Sequence, residues 1–181
     1  NILKVLFRFA TTPVGQAKLA REAGLVNNTV AANYIEILHD LGCVVPAFPW
    51  DPQREILILR KPCKYHFTNM LVAIAFGPEK LYSLNDYEHL TAEQQGIWME
   101  WLVAQELQRR QAMAGNTSFD PLKFWQSKEH EVDFVTNDDI YIEVKRGQTS
   151  SLEFNWFLKQ FPKNQLAVIN KNTFISGVIY G

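Results

Sequence analysis

The chain has 181 residues, 47% of them hydrophobic and 20% charged, and a formal net charge of −1. That profile fits one or two ordinary globular domains and excludes a generic polycation for nucleic acid. Charge is uneven: residues 1–76 sum to +3 and residues 77–181 to −4, so carboxylates gather in the second half. Cys43 and Cys63 fall in no metal-ligand spacing and read as reduced thiols of a cytoplasmic protein. No apolar run approaches the roughly 18 residues needed to span a bilayer. The opening NILKVLFRFA carries Lys4 and Arg8 within it and has no cleavage-like site, so it is not a signal peptide. The missing initiator Met suggests a piece of a longer protein.

Ile2–Ala10 has the apolar spacing of a buried helix, broken at Thr11-Thr12-Pro13. A second helix is expected over Gln16–Ala23, stopped by Gly24. A third is capped by Asn27 or Asn28 and runs to about Leu41. Its stripe is Val30, Tyr34, Ile37 and Leu41, widened by Ile35 and Leu38. The run LAREAG…NNTVAANYIEIL has the spacing of a helix-turn-helix. Cys43–Phe48 and Glu55–Leu59 read as strands around the loop Pro49-Trp50-Asp51-Pro52, which makes a wing. Residues 1–68 are therefore expected to form a winged helix-turn-helix domain. Its third helix has no Lys or Arg and carries Glu36 and Asp40, unlike helices that enter the major groove. A docking or structural role is favoured over sequence-specific DNA reading.

Lys64–Phe76 starts strand-like and becomes an apolar helical segment. Residues 69–92 are expected to form a linker or excursion. Residues 93–181 are the second expected domain. Glu93–Met113 is a long helix whose stripe is Ile97, Trp101, Ala104 and Leu107. Glu100 lies on the flank of that stripe with no basic residue three or four positions away, so it points to a distant cation. Glu106 has Arg110 at i+4 and is an ordinary helix pair. Leu122–Gln126 is a strand, and Ser127–His130 turns it back. Glu131–Thr136 and Ile140–Lys145 alternate around the turn Asn137-Asp138-Asp139 and form a hairpin. A helix over Ser150–Phe161 and strands over Leu166–Ile169 and Phe174–Tyr180 complete an α+β chain containing the order αβββαβ.

The hairpin carries the chemistry. Side chains two apart share a strand face, so Glu143 and Lys145 point the same way, and Asp133 lies across from Glu143. Hard carboxylate oxygens suit Mg²⁺ or Mn²⁺, and a lysine beside the ion can orient a water or stabilise developing negative charge. The bland alternative is an exposed Glu–Lys pair on a solvated strand. A lone His130 in a turn is a weak phosphate contact.

Asp133 followed by Glu143-Val144-Lys145 resembles the D…(D/E)-x-K signature of the PD-(D/E)xK nuclease superfamily, with Val132 where a proline is common. The resemblance implies a restriction-endonuclease-like fold, a metal-dependent nuclease and a glutamate from the first core helix, here Glu100. It assigns Asp133, Glu143 and Glu100 as metal ligands and Lys145 as the group positioning the attacking water. The stretches KLAREAGLVNNTVAANYIEIL, KYHFTN, WMEWLVAQEL, LKFWQSKEHEVDF and YIEVKRG resemble the C-terminal half of an AAA-type ATPase family. In that family a winged helix precedes a PD-(D/E)xK-like domain of unknown function. Asn69 departs from the acid expected after the KYYF-like segment. No G-x-x-x-x-G-K-[ST] occurs, so the resemblance puts the nucleotide site in an upstream ATPase domain. DNA is the expected partner. The alternatives are a catalytically inactive nuclease-fold module that docks a partner or DNA for an ATPase, and a winged-helix transcription regulator.

Overall fold

The computed structural model describes residues 1–115, 120–147 and 150–175. The chain is α+β. Three helices open it: α1 (Ile2–Phe9), α2 (Gln16–Ala23) and α3 (Asn28–Asp40). Each boundary has a local cause. Gly24 ends α2 in the left-handed region at φ 68°, where a side chain would be strained. The Asn27 side chain accepts a hydrogen bond from Val30 N and starts α3. β1 (Val44–Asp51), β2 (Ile56–Leu57) and β3 (Lys64–Phe67) follow. β1 runs straight through the expected loop at Pro49–Asp51 and pairs with a β2 of only two residues.

Residues 69–92, expected as a linker, hold α4 (Met70–Phe76) and α5 (Leu84–Glu88). Asn69 caps α4 by accepting from Leu71 N and Val72 N. Asparagine and aspartate perform that task equally well, which accounts for the departure noted above. α6 (Ala92–Met113) starts on a capping box between Thr91 and Gln94. Gln95 Nε2 donates to the carbonyls of Tyr87, Glu88 and Leu90 and ties α5 to α6.

The second half comprises β4 (Leu122–Gln126), β5 (Glu131–Val132), β6 (Phe134–Val135), β7 (Ile140–Val144), a 3-10 turn over Ser151–Phe154 leading into α7 (Asn155–Gln160), β8 (Gln165–Ile169) and α8 (Lys171–Ile175). β4 pairs antiparallel with β5, β6 antiparallel with β7, and β7 parallel with β8 across α7. The expected αβββαβ order is present, with its second strand split at Asp133 into β5 and β6. β1 also pairs parallel with β4, through Ala47↔Leu122 and Phe48↔Lys123, so strands from both halves share one sheet.

Two further expectations are corrected. On α3 the buried positions are Ala31 and Ile35, whereas Tyr34, Ile37 and Leu41 are 46%, 54% and 68% exposed. Ala31 is small enough to let α3 approach its neighbours, and that sets the rotation of the helix. The closing strand expected from Phe174 is a helix over Lys171–Ile175, started by Asn170, whose side chain accepts from Asn172 N and Thr173 N. Residues 176–180 of that expectation lie outside the described residues.

α6 separates two cores. Trp98 and Trp101 face the first, with Leu6, Leu19, Val44 and Phe67, where the rings of Phe7, Phe67 and Trp101 meet tilted or edge to face with centroids within 5.2 Å of one another. Met99, Val103 and Leu107 face the second, with Phe124, Phe134, Ile142 and Ile169. A third cluster, Trp125, Tyr141, Phe157 and Phe161, lies under α7. Glycine weakens a helix interior, and a Cβ at Gly96 would meet no atom within 4 Å. Gly96→Ala is therefore expected to stabilise the protein by about 0.5–1 kcal/mol in urea melts. A lower midpoint would show that α6 needs the bare backbone at that turn.

Candidate active site: a cleft of carboxylates around a buried lysine

Pairing Phe134 with Ile142 brings Asp133 opposite Glu143 at the mouth of the hairpin. Asp133 Oδ2 accepts a 2.8 Å hydrogen bond from Val144 N, which holds the side chain across the break between β5 and β6. Lys145 follows β7, its own N–H bonded to Ile169 O at 2.8 Å. Its Nζ lies 2.6 Å from Glu143 Oε1. Opposite them α6 presents Glu100, 8% exposed. The four residues singled out from the sequence, Glu100, Asp133, Glu143 and Lys145, line one cleft of about 330 Å³. Its remaining wall comes from the end of α1 and the turn Ala10-Thr11-Thr12, with Gly96 on the floor of α6. Ala10 bends the chain there at φ 42°, in the region that favours glycine. His130 does not line the cleft; its ring stacks on Trp156 at 4.1 Å.

The sequence reading missed Lys64. All four residues of β3, Lys-Tyr-His-Phe, are buried, and Lys64 is 1% exposed. Its Nζ lies 2.5 Å from Glu131 Oε1, 3.5 Å from Glu100 Oε1 and 3.6 Å from Asp133 Oδ1. The distant cation that Glu100 calls for is thus a lysine from the first half of the chain. A signal was available: Lys64 and His66 stand two apart in a short strand, so they share one of its faces.

The charges are out of balance. Glu100, Glu131, Asp133 and Glu143 face Lys64 and Lys145, which leaves two formal negative charges. Burial pushes the Glu100 carboxyl well above its ordinary range, Asp133 adds to this, and Lys64 opposes it. Burial and then Asp133 raise Glu143 to about 7, against the pull of Lys145. Burial alone would lower the Lys64 ammonium, but Glu100, Asp133 and Glu131 outweigh it and raise its pKa, so it stays charged. His66, fully buried, is pushed well below its usual value by burial and by Lys64. Its 3.7 Å approach to Glu100 is therefore the contact of a neutral ring.

Surplus carboxylate in a cleft is compensated either by protons or by a cation. The donor chemistry fits a hard divalent ion, and two ligands suffice for one that keeps most of its waters. Among the described residues no group of three or more His, Cys, Asp or Glu side chains is arranged to hold a metal ion. Asp133 and Glu143 stand opposite each other on the hairpin, and each acid of the cleft also faces a lysine: Glu100 and Asp133 lie 3.5 and 3.6 Å from Lys64 Nζ, and Glu143 2.6 Å from Lys145 Nζ.

A family described as a domain of unknown function, DUF4143, matches residues 95–178, which include Glu100, Asp133, Glu143 and Lys145 but not the wall of the cleft over residues 7–12. Domains of that family are often found in AAA-type ATPases. Comparison with curated proteins and with solved structures finds no match. Among the described residues no helix is long and apolar enough to cross a membrane.

A carboxyl with a higher pKa in the folded than in the unfolded state holds its proton preferentially when folded. The contribution of Glu143 is present below its unfolded value of 4.5 and is lost as pH rises through about 7. Glu143→Gln, which cannot ionise, is expected to be more stable than wild type at pH 7.5 by on the order of 2 kcal/mol, and the gap should close towards pH 4.5. Denaturant melts across that range check it; a gap independent of pH would show that Glu143 titrates alike in the folded and unfolded states.

Proposed function

We propose that the second half of this chain is a PD-(D/E)xK-type nuclease that hydrolyses phosphodiester bonds in DNA with Mg²⁺ or Mn²⁺. One observation carries the reading: Glu100, Asp133, Glu143 and Lys145, separated by up to 45 positions in sequence, line the same cleft. Asp133 and Glu143 would hold the ion. When bound, the ion neutralises charge on the scissile phosphate and acidifies a water. The residues do the rest. The Val144 N–H keeps Asp133 turned towards Glu143. The Lys145 ammonium, held beside Glu143, orients the attacking water and stabilises negative charge on the phosphoryl oxygens. Glu100, from α6, lines the same cleft and is the glutamate that the superfamily resemblance would assign to the first core helix. On this reading the chain is the C-terminal part of an AAA-type ATPase whose nucleotide site lies upstream.

A second reading is a nuclease-fold module that docks a partner for the ATPase and does not cut. Two observations favour it. Lys64 already neutralises part of the carboxylate cluster. The outward face of α3 displays Tyr34, Ile37 and Leu41 among Glu36 and Asp40, which suits a basic amphipathic segment better than DNA.

Cleavage of linear, supercoiled and branched DNA with Mg²⁺ and with Mn²⁺ separates the readings. Wild type is expected to cut, while Glu143→Ala and Asp133→Ala lose activity by about two orders of magnitude or more with the fold intact. Equal cleavage by the variants would overturn the site. A folded wild type that cuts none of these substrates would favour the docking module.

A further inference from the structure

Helix α1 is apolar except at Lys4 and Arg8, which stand four apart and so share one of its faces. No Asp or Glu of α1 offsets them. Lys80, beyond the end of α4, joins them. The three cations line a cavity of about 630 Å³ with Phe7, Phe76 and Gly77, and its described lining residues include no carboxylate. Arg8 is paired with Glu22, whereas Lys4 and Lys80 are exposed and stand in no salt bridge among the described residues. Glu79, the acid next to Lys80, accepts a 3.1 Å hydrogen bond from Gln94 Nε2 of α6 instead. Packing fixes the walls. The Phe7 ring meets Phe67 and Trp101 in the first core, with centroids 4.4 and 5.2 Å away. A Cβ at Gly77 would come within 2.6 Å of Ala73 O and 3.1 Å of the Phe7 ring, so only glycine lets this turn approach α1 so closely. Phe76 lines the same cavity and is 57% exposed. Phe7 and Arg8 also line the carboxylate cleft, so cavity and cleft share a wall. A cleft with surplus carboxylate thus adjoins a cavity with surplus ammonium and an exposed ring.

We propose that this cavity holds a nucleotide of an unpaired DNA strand beside the bond that the cleft would cut: Lys4, Lys80 and Arg8 take its phosphates, and Phe76 stacks on its base. The inference rests on the proposed nuclease reading and names its substrate class, DNA with a single-stranded segment. Cations that follow a phosphate backbone, with an aromatic ring for a base, are how proteins hold single strands. A blunt duplex keeps its bases stacked on one another and has no free face for Phe76. The cavity supplies the positive charge that the cleft lacks, and it does so from the wall the two share.

Binding is measured on the full chain carrying Glu143→Ala, which on the nuclease reading leaves DNA uncut, with Mn²⁺ present and folding followed by circular dichroism. The probes are a labelled single strand of about 20 nucleotides and the same sequence as a blunt duplex, followed by fluorescence anisotropy across salt concentrations. The single strand is expected to bind more tightly. Adding Lys4→Gln and Lys80→Gln is expected to weaken binding and lower the slope of log Kd against log salt by about 1.4, two contacts at roughly 0.7 each. Lys4→Arg with Lys80→Arg should keep both affinity and slope. Phe76→Ala is expected to weaken single-strand binding about tenfold and leave the slope unchanged. With Glu143 restored, the two Gln changes should raise KM and leave kcat, since they remove binding away from the reacting bond. Unchanged affinity and slope in the Gln variant would overturn the subsite, while cleavage by wild type would still uphold the nuclease reading. Weaker binding with an unchanged slope would overturn it too, because the lysines would then act through the fold. Equal binding of both probes, or no effect of Phe76→Ala, would overturn the unpaired strand as occupant. A lowered slope in a protein whose wild type cuts no DNA would uphold the subsite and overturn the nuclease reading. No binding of either probe would overturn the subsite whatever wild type cuts.

Discussion

The contact on which this structure depends is the ammonium of Lys64 enclosed by carboxylates of the other half of the chain. Enclosing a lysine removes it from water at a cost of several kcal/mol, which only well-placed opposite charge offsets. Glu131, Glu100 and Asp133 provide it from positions 36 to 69 residues further on. Removing one partner of such a buried pair typically costs about 3–5 kcal/mol, because the other is left uncompensated. The lysine therefore acts less as a source of net stability than as a fixed point. It allows one placement of β3 against α6 and the hairpin, and the parallel pairing of β1 with β4 extends that placement along the sheet. A three-helix unit and an αβββαβ unit, separable on paper, share a sheet, a core and a charge cluster.

The same placement makes the cleft. α6 is apolar towards two cores and has a narrow flank between them, and Glu100 lies there beside Gly96. The strand break at Asp133 frees that residue from the ladder and turns its carboxylate onto Val144 N. The Ala10 bend brings Thr11 and Thr12 over the opening. A positive φ at a residue with a Cβ is retained only where the surroundings fix it, here by the buried Val5 and Leu6 of α1 and by the Ala10 N–H bonded to Leu6 O at 2.7 Å. The wall of the cleft is thus a product of the first half of the chain, and the acids are a product of the second.

Sequence reading succeeded where the governing interaction is local. Period-2 alternation and the Asn-Asp-Asp turn located the hairpin, and with it the opposition of Asp133 and Glu143. The missing basic neighbours of Glu100 showed that its partner is remote. The identity of that partner was not legible, because pairing across 36 residues follows from strand order and not from spacing. Lys64 also sat in a segment assigned to the other domain, which hid the connection. α3 shows a second limit. Tyr34, Ile37 and Leu41 have a helical period as good as that of Ala31, Ile35 and Leu38, and the choice between the two faces is made by close approach at Ala31, which a hydrophobic pattern does not weigh.

The balance of charge constrains what the cleft can do. With all four ionised, Glu100, Glu131, Asp133 and Glu143 would present a phosphodiester with more negative charge than Lys64 and Lys145 offset, and the half of the chain that holds all four sums to −4. Lys64 cannot reverse this, since its charge is spent on three carboxylates and shielded from solvent. Lys145 is more accessible, but Glu143 sits 2.6 Å away and screens it. An anionic substrate is therefore repelled until further positive charge enters, and the cleft has carboxylate oxygens to hold a cation but no free lysine or arginine among its described lining residues to replace one. On the proposed nuclease reading, substrate binding and ion binding would be coupled by this arithmetic: the ion that would activate a water is also what would allow the phosphate to approach. In such a site the two events reinforce one another, because each charge lowers the cost of bringing in the other.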